Sequence, residues 1–181
     1  MKRCLVVGRT SDDVAECKRY GLSTHGPAPS TVYWNNFEMF DGDVITTHTI
    51  KYGAVWACTV ETSDRVADCA AMWPKKVVVG LSALHTLEKA APHLAPNAVI
   101  LRHGPGLRYP DRDSGEFALW WAYRQGYKEI YTVGLDFIGD REKQARVAGM
   151  VRMFDGVNVY KTNELSRLPV PVKVPPVVGE S

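Results

Sequence analysis

No stretch of this 181-residue chain is apolar for long enough to cross a bilayer. The basic start, Met1-Lys2-Arg3, leads into an apolar run of only Cys4 to Val7, too short for the centre of a secretory signal. Neither sign of charge dominates. With 22 Lys and Arg against 20 Asp and Glu the net charge is +2, so no global field holds nucleic acid or an anionic membrane nonspecifically. The four cysteines, Cys4, Cys17, Cys58 and Cys69, contain no C-x-x-C pair, and reduced, structural thiols in the cytoplasm are the expectation. Histidine is scarce, and none follows His103. What is plentiful is apolar side chain, 45% of the total, which is ample for the core of one domain.

The organising stretch runs from Arg112 to Phe137. Asp113 followed by Glu116 has capping-box spacing and predicts a helix start, with Ser114 and Gly115 offering backbone N–H groups at its positive end. Gly126 ends that helix, and Lys128 to Val133 reads as a buried strand that breaks at Gly134. Asp136 then lies just past the carboxyl end of a strand, beside Leu135 and Phe137. In an open α/β sheet ligands bind at that edge, so the unit combines an anion-friendly helix start with a carboxylate suited to sugar hydroxyls.

The rest of the chain repeats the alternation. Cys4 to Val7 predicts a first strand, and Gly8-Arg9-Thr10-Ser11 a turn ahead of a helix over Asp12 to Tyr20. Gly21 to Ser30 reads as loop, and Thr31 to Phe37 as a short strand ending in the amides Asn35 and Asn36. Asp41-Gly42-Asp43 predicts a turn, in preference to a metal-holding Asp-x-Asp, and Val44 to Thr49 a strand ending near Thr47 and His48. Further strands are expected at Ala54 to Val60, Lys76 to Val79, Ala98 to Leu101 and Val157 to Tyr160. Helices are expected at Arg65 to Trp73, at Leu81 to His93, and from a charged start over Gly139 to Gln144 on through Ala145 to Phe154. His85 and His93 read as surface or packing residues, and no metal is expected. This β-α-β order predicts a single Rossmann-like α/β domain with a mostly parallel sheet and helices on both faces, over residues 1–168. A Pro/Val-rich tail, 169–181, should lie extended on the body or on a neighbour.

Ser-Gly, a helix with small residues, Gly126-Tyr127-Lys128-Glu129-Ile130-Tyr131 and Gly134-Leu135-Asp136-Phe137 together resemble the bacterial CMP-sialic-acid-dependent sialyltransferases of lipooligosaccharide synthesis. The segment is also similar to Rossmann-like pterin-diphosphokinase-like proteins. The resemblance implies a cytidine nucleotide met by the first turn (Gly8, Arg9, Thr10, Ser11), by Asn36 or its neighbour Asn35, and by Arg112, Asp113, Ser114 and Gly115. It implies further contacts from Gly134, Leu135, Asp136 and Phe137, and from Asn163 and Ser166 near the base. The loop Arg102 to Arg112 would present guanidinium groups to phosphate.

These features support a glycosyltransferase using a CMP-sugar or UDP-sugar donor as substrate. His48, His103 and Asp140 are the candidates for the base that takes the acceptor proton. A glycan or a modified nucleic-acid base would be the acceptor, and a homo-oligomer is an open alternative to a monomer. Since the family's general-base histidine has no counterpart after His103, the second expectation is a nucleotide-binding or sequestering protein. A third is Mg-dependent pyrophosphoryl transfer, which needs carboxylates converging from Asp41, Asp43, Asp111, Asp113 or Asp136.

Overall fold

The computed structural model describes residues 1–8, 39–47, 55–58, 66, 74–101, 114–135, 141–162, 166 and 168–180. Within them seven strands form one sheet: β1 (Arg3–Val7), β2 (Asp43–Thr46), β3 (Val55–Cys58), β4 (Lys76–Gly80), β5 (Val99–Leu101), β6 (Glu129–Val133) and β7 (Asn158–Lys161). Their order across the sheet is β5-β4-β3-β2-β1-β6-β7, and every pairing is parallel. The protein is therefore an α/β domain built on a parallel sheet. Strands in the middle of such a sheet are covered on both faces, which is why β6 is buried at every position and β1 from Cys4 onward.

Three α-helices are described: α1 (Leu81–Ala90), α2 (Ser114–Arg124) and α3 (Arg141–Arg152). The helix expected to run to His93 ends at Ala90, and the reason is local. Pro92 keeps the preceding residue out of the helical region, and Ala91 sits at φ −145°, ψ 63°. A 3-10 turn, Ala95–Asn97, then leads into β5. Gly126 ends α2 as expected, at φ 75°, with its N–H donated to the Tyr123 carbonyl. The predicted strand at Val44 begins one residue earlier, at Asp43, and is over by Thr46; Thr47 is a bend. The strand expected over Thr31 to Phe37 and the helix over Asp12 to Tyr20 lie outside the described residues.

Side-chain alternation divides the strands between two faces. One face carries Cys4, Val6, Ile45, Ala57, Val78, Ile130 and Val159, and these pack with Phe117 to Ala122 of α2 and with Val147 and Met150 of α3. Helix α2 is buried from Gly115 to Ala122, as expected of a helix that is apolar almost all round. Helix α3 turns only Val147 and Met150 fully inward and leaves Arg141, Glu142 and Arg152 exposed. On the other face Val77 and Val79 pack under α1 through Ala83 and Leu87. Further along the same face Leu5, Val7, Tyr131 and Val133 pack against Phe40, with Val177 of the C-terminal segment partly buried beside them. Helices thus cover both faces, and the Pro/Val-rich segment lies on the body. None of the described helices is long and apolar enough to cross a membrane.

Candidate ligand edge at the switch point

Strand order decides where a ligand has room. The chain adds β2 to β5 successively on one side of β1, then crosses back so that β6 and β7 lie on the other. The carboxyl ends of β1 and β6 are therefore where the connections part, the topological switch point of an open parallel sheet. The segment that makes the return is α2, which packs across β3, β2 and β1 before entering β6.

Helix α2 must begin at this same edge. Its far end is fastened to the amino-terminal edge of the sheet, where the Lys128 N–H donates to the Lys2 carbonyl at 2.9 Å and Lys2 Nζ to the Gln125 carbonyl at 2.7 Å. Eleven helical residues rise about 16 Å, close to the length of a five-residue strand. Ser114 and Gly115 are thereby carried to the level of Gly8 and Gly134.

At the junction itself the two turns touch. The Gly8 N–H donates to the Val133 carbonyl at 2.8 Å. A Cβ on Gly8 would collide with the Gly134 carbonyl and come within 2.5 Å of Leu135 Cδ2. Gly134 has φ 70°, a left-handed conformation that glycine adopts without penalty. Leu135 is buried and belongs to the core beneath α2, so its side chain closes the gap under the turns and only its backbone borders the edge. Beside β1, Thr47 donates both its N–H, at 3.0 Å, and its hydroxyl, at 3.3 Å, to the Val7 carbonyl. Beside β6, the Thr162 N–H donates to the Thr132 carbonyl at 3.2 Å, and Thr132 Oγ1 donates to the Tyr160 carbonyl at 3.1 Å. Thr162 Oγ1 is buried and has no hydrogen-bond partner among the described residues. Ser166 Oγ accepts the Leu168 N–H at 3.4 Å, and Lys161 Nζ donates to the Ser166 carbonyl at 2.8 Å.

One charged pair stands at the start of α2. Glu116, buried in the first turn, accepts two hydrogen bonds from Arg146 of α3, Nε to Oε1 at 2.7 Å and Nη2 to Oε2 at 2.8 Å. Such a bidentate pair fixes a guanidinium and a carboxylate next to the helix's amino end. The expected capping partner, Asp113, lies outside the described residues.

The opposite edge is chemically different. Arg3 donates to Glu129 Oε2 at 2.8 Å and to Asp41 Oδ2 at 2.7 Å, while Lys173 donates to Glu129 Oε1 at 2.6 Å. The Lys173 hydrogen bond, helped by that from Arg3, holds the Glu129 carboxyl below its usual range against the opposing effect of burial. Tyr127 donates to Asp43 Oδ2 at 2.6 Å, and burial, reinforced by that carboxylate, pushes the phenol well above its ordinary range. Asp41-Gly42 is a bend leading into β2, where a Cβ on Gly42 would lie 2.6 Å from the Phe40 ring. Asp41 and Asp43, two of the five carboxylates on which the pyrophosphoryl-transfer expectation could draw, are therefore paired at the edge away from Gly134, while Asp111, Asp113 and Asp136 lie outside the described residues. Among the described residues no three acidic, histidine or cysteine side chains are grouped to hold a metal. Cys4 is a free, buried thiol, raised by burial well above its usual range.

Of the residues expected at the site, Gly8, Ser114, Gly115, Gly134 and Leu135 share the carboxyl edge, and Ser166 is tied to the end of β7 there. Arg9, Thr10, Ser11, Asn35, Asn36, His48, His103, Arg112, Asp113, Asp136, Phe137, Asp140 and Asn163 lie outside the described residues. The chain matches no protein-family model and no curated protein. Sequence reading missed Thr162 and the Glu116–Arg146 pair. Glu116 stands at the head of an otherwise apolar helix, which signals a buried carboxylate, but nothing in the sequence names a partner on another helix.

Proposed function

We propose that this chain binds the nucleotide of a CMP-sugar or UDP-sugar at the β1–β6 switch point and transfers the sugar to an acceptor. The observation that carries the nucleotide half is the contact between the glycine turns after β1 and β6, at the sheet edge toward which the amino end of α2 runs. Backbone N–H groups at a helix start and in tight turns are the groups that hold phosphate without a metal. Glycosyl transfer as the reaction is supported by the likeness of the Arg112 to Phe137 segment to sialyltransferases. In this reading Gly8 to Ser11 and Ser114-Gly115 hold the nucleotide, Asp136 orients a hydroxyl, and the arginines of 102–112 offset charge on the departing phosphate. His48, His103 or Asp140 takes the acceptor proton. The acceptor is a glycan end or a modified nucleic-acid base, and the compartment is the cytoplasm, in keeping with the free thiol of Cys4.

A second reading, nucleotide binding without transfer, is favoured by the lack of any histidine after His103. One experiment separates the two. Purified protein is titrated calorimetrically with CMP, UMP and their sugar conjugates, and release of free sugar from the conjugates is followed over hours. Binding with sugar release supports the transferase, binding without release the second reading, and no binding of any nucleotide overturns both.

A further inference from the structure

The C-terminal segment does more than fill a face. It first pairs in parallel with the end of β7, Val172 beside Lys161. The Lys161 N–H donates to the Pro171 carbonyl at 2.9 Å and the Lys173 N–H to the Lys161 carbonyl at 3.0 Å. It then passes beneath β6 and β1 and pairs antiparallel with the residues ahead of β2, Val177 beside Phe40. There the Asp41 N–H donates to the Pro176 carbonyl at 2.9 Å and the Val178 N–H to the Met39 carbonyl at 2.7 Å. Between the two ends Lys173 pins the segment, its amine on Glu129 and 4.6 Å from the Tyr160 ring centre.

The crossing leaves little slack. From β7 to β2 is three strand spacings, about 14 Å, and the five steps from Val172 to Val177 reach about 17 Å when fully extended. The proximal end also adjoins the carboxyl edge, because Lys161, whose N–H and carbonyl both bond to the segment, precedes Thr162 and donates from its amine to the Ser166 carbonyl.

We propose that residues 168–180 form a latch that opens as one unit, pinned by Lys173 on Glu129, and that its opening frees the end of β7 at the carboxyl edge. The inference concerns this conformational coupling and stands whether or not a nucleotide binds there.

Hydrogen exchange on the intact protein tests it. Under native conditions the amides of Lys161, Lys173, Asp41 and Val178 should show protection factors within roughly threefold of one another, as expected of one cooperative opening. In Lys173→Met, which keeps the apolar stem and removes the charge, all four and the Thr162 amide should exchange faster by roughly tenfold or more. The Ala91 amide beyond α1 should be unchanged. Val177→Ser, at the far end, should accelerate Lys161 and Thr162 as strongly as Asp41 and Val178, and Lys173→Arg should restore most of the protection. Protection at the two ends differing by more than about tenfold in the unaltered protein, or acceleration confined to the end that carries the substitution, would overturn the latch.

Discussion

At the amino-terminal ends of β1, β2 and β6 the side chains are long, charged and paired: Arg3 with Glu129 and Asp41, Asp43 with Tyr127, Lys173 with Glu129. At the carboxyl ends of the same strands stand Gly8, Thr47 and Gly134, where main chain meets main chain and hydroxyls serve the backbone. Both edges border one core, so burial of apolar surface does not account for the contrast. Side chains close the first edge, whereas at the second backbone bonds to backbone between tight turns. The first reads as the edge that holds the fold and the second as the edge that meets a ligand, a division parallel sheets use generally.

Collapsing the distinction at its narrowest point should have the largest effect. In Gly8→Val the new Cβ would meet the Gly134 carbonyl and Leu135, and backbone there has nowhere to retreat. A loss of about 3 kcal/mol or more is expected from overpacking of this kind, measured by urea unfolding. Gly134→Ala, at φ 70°, tests the same junction through strain alone and should cost about 1 kcal/mol. If Gly8→Val leaves stability unchanged, the turns are not in contact. Next in size is Arg146→Ala, which removes both described hydrogen bonds to buried Glu116. Bonds to a charged group contribute about 1.5–3 kcal/mol, and the lower end applies because Arg146 is 35% exposed. Under the proposed function nucleotide affinity should fall as well, since a cation leaves the mouth of α2.

How much of this was legible in the chain follows the same division between local and distant contacts. The alternation of short apolar runs with helical patterns announced a parallel α/β sheet, and Gly126 and Gly134 marked the ends of α2 and β6, because turns and caps are written in adjacent residues. Pro92 is the local signal that stops α1 at Ala90, short of the expected end at His93. The spacing of Asp113 and Glu116 predicts a capping box, and it says nothing of the Glu116–Arg146 pair, which packing of two helices creates and spacing does not encode. The partners of Asp41 and Asp43, and the course of 168–180 from β7 to Phe40, were hidden for the same reason. Each joins residues that only the sheet order brings together.

A smaller effect sharpens the comparison from the other edge. Tyr127→Phe removes the hydroxyl from Asp43 but keeps the buried ring in place. The expected cost is about 1 kcal/mol, because Asp43 can turn to water. Nucleotide affinity should stay within about twofold of the unaltered protein, a difference of roughly 0.4 kcal/mol. A larger change in affinity would mean that the two edges are energetically coupled through β2.

The smallest change in stability should carry the opposite sign, and it separates holding the fold from meeting a ligand within one residue. Ser114 opens α2, at the end of the helix where the dipole favours negative charge. Ser114→Asp should therefore stabilise the protein by about 0.3–1 kcal/mol at low salt, and raising the salt concentration should erase part of the gain. A phosphate bound at the same place would face the new carboxylate, so nucleotide affinity should fall although the fold is firmer. Isothermal titration and thermal unfolding on one preparation give both numbers. A variant that is more stable and binds as well as before would place the phosphate elsewhere than on α2, leaving the glycine turns after β1 and β6 to hold it without the helix.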